Sequence, residues 1–139
     1  MNEVGEMIRH YRKKMGYSQK DLSEKVGIAR TTVVSIENGT ASPSEETIYK
    51  ISKVLGISIG QRIKMYRCKR GLSQSELARR VEINPSGLSR IEAGKEALSK
   101  AASERICQVL DISPDRLKPF IMPPRKIKKK LQQLTENEL

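Results

Sequence analysis

The side chains that could do covalent or metal chemistry are few and scattered. His10 is the only histidine, and Cys68 and Cys107 are the only cysteines. Nucleophilic catalysis needs a nucleophile beside a base, and a metal site needs several ligands at close spacing. Neither cluster can be assembled from these residues. Gly87 and Gly94-Lys95 superficially resemble a phosphate-binding loop, but six residues separate the glycines and Glu96 stands where Ser or Thr is needed. The expectation is no enzyme activity, no cofactor, no metal and no small-molecule ligand.

What remains is charge. The 139 residues include 27 Lys and Arg against 16 Asp and Glu, a net charge of +11. A surplus of this size draws polyanions, with nucleic acid or an anionic membrane the usual partners. It is unevenly shared: residues 1–57 carry a net +2, residues 58–119 a net +6 and residues 120–139 a net +3. No apolar stretch is long enough to span a bilayer, and the N-terminus lacks a signal-peptide pattern. Two distant cysteines do not make a disulfide framework, so a reduced, cytoplasmic and nucleoid-associated protein is expected.

The elements that must position this charge come twice. Shifted by 55 residues, positions 5–58 match positions 60–113 at 20 of 54 sites without a gap. Gly5/Gly60, Ile8/Ile63, Arg12/Arg67, Gln19/Gln74, Leu22/Leu77, Ile36/Ile91, Glu37/Glu92 and Leu55/Leu110 are among the matches. The chain is a tandem duplication. With no Trp and a single Phe, aliphatic residues must build both cores.

Each copy reads as helices throughout. Val4, Ile8, Tyr11 and Met15 share one face of a first helix that stops at Gly16. Ser18 to Asp21 resembles a capping box, and Ser73 to Glu76 is expected to fit it fully, which starts short helices at 18 and 73. Third helices are expected over 29–37 and 84–92, the second with Asn84 as cap and Pro85 at the first helical position. Gly39 and Gly94 end them. Ser44 and Ser99 start fourth helices, and Ser113-Pro114-Asp115 opens a short fifth. The first copy has no fifth helix of its own, because residues 57–60 run straight into the first helix of the second copy. That helix is expected to pack against both units and restrain their orientation.

The segments YSQKDLSEKVGIARTTVVSIENG and LSQSELARRVEINPSGLSRIEAGK resemble the Cro/CI, or XRE-type, helix-turn-helix repressors. The resemblance covers about residues 3–118, and each copy independently shows Ser-Gln, the following Leu, the Ile before the third helix and Ile-Glu-x-Gly. It implies an all-α fold of two tandem lambda-repressor-like domains, each of four to five helices. It also implies that the third helix of each copy enters the major groove of double-stranded DNA. On that resemblance Arg30, Thr31 and Ser35 read bases in the first copy, and Asn84, Ser86 and Arg90 in the second. Gln19, Gln74 and Lys95 would touch phosphate. Arg12 with Glu37, and Arg67 with Glu92, would be structural salt bridges rather than base contacts. Pro85 replaces Arg30 and Gly87 replaces Thr32, so the two readers should prefer different bases.

The expected organisation is therefore a first domain at 1–57, a second at 58–119 and a basic tail at 120–139. The tail's Arg125-to-Lys130 run would grip phosphate, pair with another chain or remain solvated. The function expected is a sequence-specific transcriptional regulator, a repressor of bacterial, phage or mobile-element genes, acting alone or as a homodimer and without a membrane partner. The competing expectation is a protein-interaction module, such as an antirepressor or antitoxin, that uses one unit to bind a partner protein.

Overall fold

The computed structural model describes residues 3–120, and the expectations for the tail beyond Phe120 lie outside them. Among the described residues the regular structure is entirely helical. The first copy contributes α1 (Glu3–Lys14), α2 (Gln19–Val26), α3 (Arg30–Asn38) and α4 (Glu45–Leu55). The second contributes α5 (Ile59–Lys69), α6 (Gln74–Arg80), α7 (Pro85–Glu92) and α8 (Lys100–Leu110), then a 3-10 turn at Pro114–Leu117. None of these helices is long and apolar enough to cross a membrane.

Local sequence explains where the helices start. Ser44, Ser58 and Ser99 each accept a backbone N–H three residues on, occupying a donor that the first turn leaves free. The capping boxes reverse the sequence expectation. Ser18 and Asp21 reciprocate fully, each side chain accepting the other's backbone N–H at 2.9 Å. In the second copy Ser73 accepts from Glu76 N–H at 3.1 Å, while its hydroxyl donates to the Glu76 carboxylate at 3.2 Å. The longer Glu side chain reaches the hydroxyl where the shorter Asp meets the backbone.

The turn between the second and third helices needs a left-handed residue in both copies. Gly27 supplies it at φ 83°, whereas the second copy uses Glu82 at φ 58°. A side chain in that region costs about 1–2 kcal/mol against glycine, so the second turn is the more strained.

One continuous apolar cluster runs through both copies. Ile8, Leu22, Ile36, Ile48 and Ile51 meet in the first part, and Ile63, Leu77, Leu88, Ile106 and Leu110 in the second. Helix α5 joins them, since it packs on α1 and α4 of the first copy and on α7 of the second. Its burial shows the double role. Met65 and Arg62 are fully buried, whereas their counterparts in α1, His10 and Met7, are exposed and partly buried. Helix α1 has one covered side; α5 is enclosed on several.

Candidate nucleic-acid interface

The candidate interface is built from α2–α3 and from α6–α7. In α3 the residues Val33, Ile36 and Glu37 are buried, which turns Arg30, Thr31 and Thr32 outward and leaves Ser35 half-buried. In α7 the buried Leu88, Ile91 and Glu92 turn Pro85, Ser86, Ser89 and Arg90 outward, beside the exposed cap Asn84. Each helix thus presents a polar outer side on an apolar base.

Each base is pinned by a buried ion pair. Arg12 Nε lies 2.7 Å from Glu37 Oε2 and its Nη2 lies 2.9 Å from Oε1, while Nη1 donates to the Tyr17 carbonyl at 2.9 Å. The second copy repeats this arrangement: Arg67 Nε to Glu92 Oε2 at 2.8 Å, Nη2 to Oε1 at 2.9 Å and Nη1 to the Leu72 carbonyl at 2.9 Å. Bidentate geometry with the remaining donors satisfied is what lets such charges be buried. For Glu37, burial works to raise the carboxyl pKa, but the hydrogen bonds and charge of Arg12 outweigh it and the net direction is down. For Arg67, burial pulls the guanidinium pKa down, but Glu92 more than compensates and the net direction is up.

The two glutamines are tied into these pairs. Gln19 Nε2 donates to Glu37 Oε1 at 3.3 Å, and Gln74 Nε2 to Glu92 Oε1 at 3.0 Å. Each nitrogen carries a second N–H, so the carboxylate orients the amide at the start of its helix without using up its donors. Lys95 is exposed just beyond α7, its backbone N–H closing onto the Arg90 carbonyl at 2.9 Å.

The copies differ at the tip. Ala29 precedes α3 with no side-chain cap, and Arg30 begins the helix exposed. In α7 Asn84 Oδ1 accepts both the Ser86 N–H at 3.0 Å and the Ser86 hydroxyl at 2.9 Å. Two of the sequence-predicted readers therefore bond to each other through the Asn84 carbonyl oxygen. Arg90 Nε lies 3.9 Å from Glu96 Oε2, with both side chains about half exposed. That loose pair is easily exchanged for a stronger acceptor.

Sequence reasoning missed Thr32, Ser89 and Arg9. Ser89 follows Ser86 by three residues and shares its exposed side, so helical spacing carried the signal. Arg9 reaches Glu37 Oε1 at 3.3 Å and the Asn38 side chain at 3.5 Å, adding a second cation at the end of α3. No motif marked it. Cys68 is half-buried and donates to Glu3 Oε2 at 2.8 Å across the two copies. Burial and that carboxylate push its thiol up to about 11, away from the reactive thiolate form.

Comparison with known proteins agrees with this geometry. A family model described as helix-turn-helix matches twice, over residues 8–61 and 63–117. An uncharacterized HTH-type transcriptional regulator of Methanothermobacter thermautotrophicus is 40% identical over 50 residues, 36% of this chain and 72% of that protein. The HTH-type transcriptional regulator SinR of Bacillus subtilis is 42% identical over 57 residues, 40% of this chain and 51% of SinR. The human endothelial differentiation-related factor 1 is 32% identical over 57 residues, 41% of this chain and 38% of that protein. The chain thus spans about half of SinR and less of the human factor. No solved structure matches it significantly. With the family's match falling on α2–α3 and again on α6–α7, the chain belongs to the helix-turn-helix family and carries its unit twice.

Proposed function

We propose that this helix-turn-helix protein is a sequence-specific repressor of transcription that reads double-stranded DNA with both units, acting in the cytoplasm at the nucleoid. Family membership and the regulators among its relatives support DNA binding in transcriptional control. The observation that carries the two-reader form is the pair of polar, outward-facing helix surfaces, each fixed to its scaffold by a buried Arg–Glu bridge. Hydrogen-bonding side chains with an exposed arginine on each helix suit the donors and acceptors of base edges and phosphates. Among the described residues, Met15 is the exposed large apolar side chain, and it lies on neither reading helix.

In this reading Arg30, Thr31 and Ser35 contact base edges from α3, and Asn84, Ser86 and Arg90 from α7. Gln19, Gln74 and Lys95 hold phosphate. Arginine bridges guanine O6 and N7, whereas Ser and Thr discriminate less. The units at 1–57 and 58–119 would read different half-sites in direct order along one duplex, so a single chain supplies two heads. A homodimer is then needed for higher occupancy rather than for basic recognition.

The test is binding to a site selected from a random duplex pool at a stated salt concentration. Arg30→Ala and Arg90→Ala should each weaken binding by about 1–3 kcal/mol and relax specificity in different halves of the site. Loss with Arg90→Ala alone would reduce the reading to one head. No duplex preference over scrambled competitor would end it.

A further inference from the structure

Besides the apolar packing of α5 on α1 and α4 and the Cys68–Glu3 contact, two polar and directional attachments tie the units together. At the first, the Tyr11 hydroxyl of α1 donates to Gln61 Oε1 at 3.1 Å, and Gln61 Nε2 donates to the Glu92 carbonyl at 2.7 Å. The end of the second reading helix is thereby linked, through one side chain, to the first helix of the other copy. Gly60 tightens the same point. A Cβ there would collide with the carbonyl of Ile91 and lie 2.7 Å from that of Glu92, so α5 sits directly on the backbone of α7.

At the second place, Glu45 at the start of α4 accepts the Ser113 N–H at 2.9 Å and Arg116 Nε at 3.0 Å, while its carbonyl accepts the Tyr66 hydroxyl at 3.1 Å. Around it the Arg116 guanidinium lies 4.7 Å from the Tyr49 ring, and the Arg62 guanidinium lies 4.0 Å from the Phe120 ring. Tyr49 and Phe120 meet at 5.5 Å. Arg62 is fully buried, and its Nη1 donates to the carbonyls of Arg116 and Lys118, each at 2.9 Å. A side chain that buries a charge to bind two carbonyls holds the end of the second unit in place.

These polar contacts add directional restraint to the apolar packing of α5 on α1 and α4. The end of α3 and the start of α6 also open onto one groove, lined by Gly39, Ala41, Ser42, Ser73 and Gln74. We propose that the Tyr11–Gln61–Glu92 and Glu45–Arg116 contacts are specificity-determining: they lock α3 and α7 at one mutual displacement, so the chain accepts one spacing between its two half-sites.

This rests on both units reading DNA. In B-form DNA each inserted base pair moves the second half-site by about 3.4 Å and turns it by about 34°. A rigid pair of heads cannot follow, and the gain from binding both at once is lost when geometry forbids it, a factor that can reach about 10²–10⁴. Flexibly joined heads would lose far less.

The experiment uses the full chain and the selected site, with a series of duplexes in which one to five base pairs (roughly half a turn at most) are inserted between the halves. The wild type should lose about 30-fold or more in affinity at the first insertion. The Gln61→Ala/Arg116→Ala double variant, and separately Glu45→Gln with Phe120→Ala, should each lower the penalty at the first insertion by at least about 3-fold, the apolar packing of α5 keeping the remainder. Both variants are checked for helix content, and each should bind an isolated half-site like the wild type. Folded variants that keep the sharp wild-type profile would overturn the proposal, as would a wild type indifferent to insertion. A wild type that binds no duplex selectively would instead remove the two-reader reading beneath it.

Discussion

Glu37 shows how much a single buried carboxylate carries. It accepts from Arg12, Arg9 and Gln19, joining α1, α2 and α3. Removing one partner of such a pair costs about 3–5 kcal/mol, because the other charge stays buried and unpaired. Its pKa in the folded chain lies below the ordinary carboxylate value of 4.5, so its stabilisation is complete above that value and disappears as pH falls through the folded value. Glu37→Gln should therefore be less stable at neutral pH, and should lose less of its remaining stability between about pH 5 and pH 3. Urea titrations of both proteins at the two pH values check this; parallel losses would mean that Glu37 stays ionised throughout or matters little. The Arg12–Glu37 and Arg67–Glu92 pairs could be read from sequence as recurring partners 25 residues apart, but only through resemblance. The contacts of Arg9 and Gln61 could not, because a polar side chain on an exposed helix position carries no label naming what will fold against it.

Helix starts and stops were legible because Ser, Asn, Pro and Gly act locally, within one turn of the residue itself. The error over which capping box closes fully arose at the same scale. The pattern fixes that a carboxylate sits three residues after a serine, but side-chain length decides which atom it meets. The recognition helices raise a sharper question at Gly87. A glycine inside a helix costs about 1 kcal/mol relative to alanine. The space at Gly87 would admit a methyl group, since the nearest atom to a Cβ is Ile83 Cγ2 at 3.4 Å. Gly87 is itself buried, and the same Cβ would lie 3.7 Å from both Arg90 Nη2 and Glu96 Oε2, so a methyl group there would press on the side chain of a proposed base reader rather than on DNA. Gly87→Ala should raise thermal stability by a few degrees and weaken binding to the selected site by about tenfold. Calorimetry and a binding isotherm on the same sample decide it; unchanged affinity would assign Gly87 no part in recognition.

At the scale of the whole molecule the duplication misleads as well as informs. It predicts two equivalent units, and the repeat does reappear as α1–α4 and α5–α8. It gives no warning that Arg62 would be fully buried where Met7 is only partly covered, or that Met65 would be fully buried where His10 is exposed. Those differences arise because α5 is covered by the first copy, a contact that no alignment of the chain with itself can reveal. The uninterrupted passage through residues 57–60, without a flexible linker, was the one legible hint. With α5 in both cores, the described residues should melt in a single transition, with calorimetric and van't Hoff enthalpies equal. Two resolved transitions would mean that the units are energetically separate. A helix with two owners also constrains inheritance. Gene rearrangements that cut between the copies would leave one product lacking its closing helix and the other exposing the side that helix had turned inward.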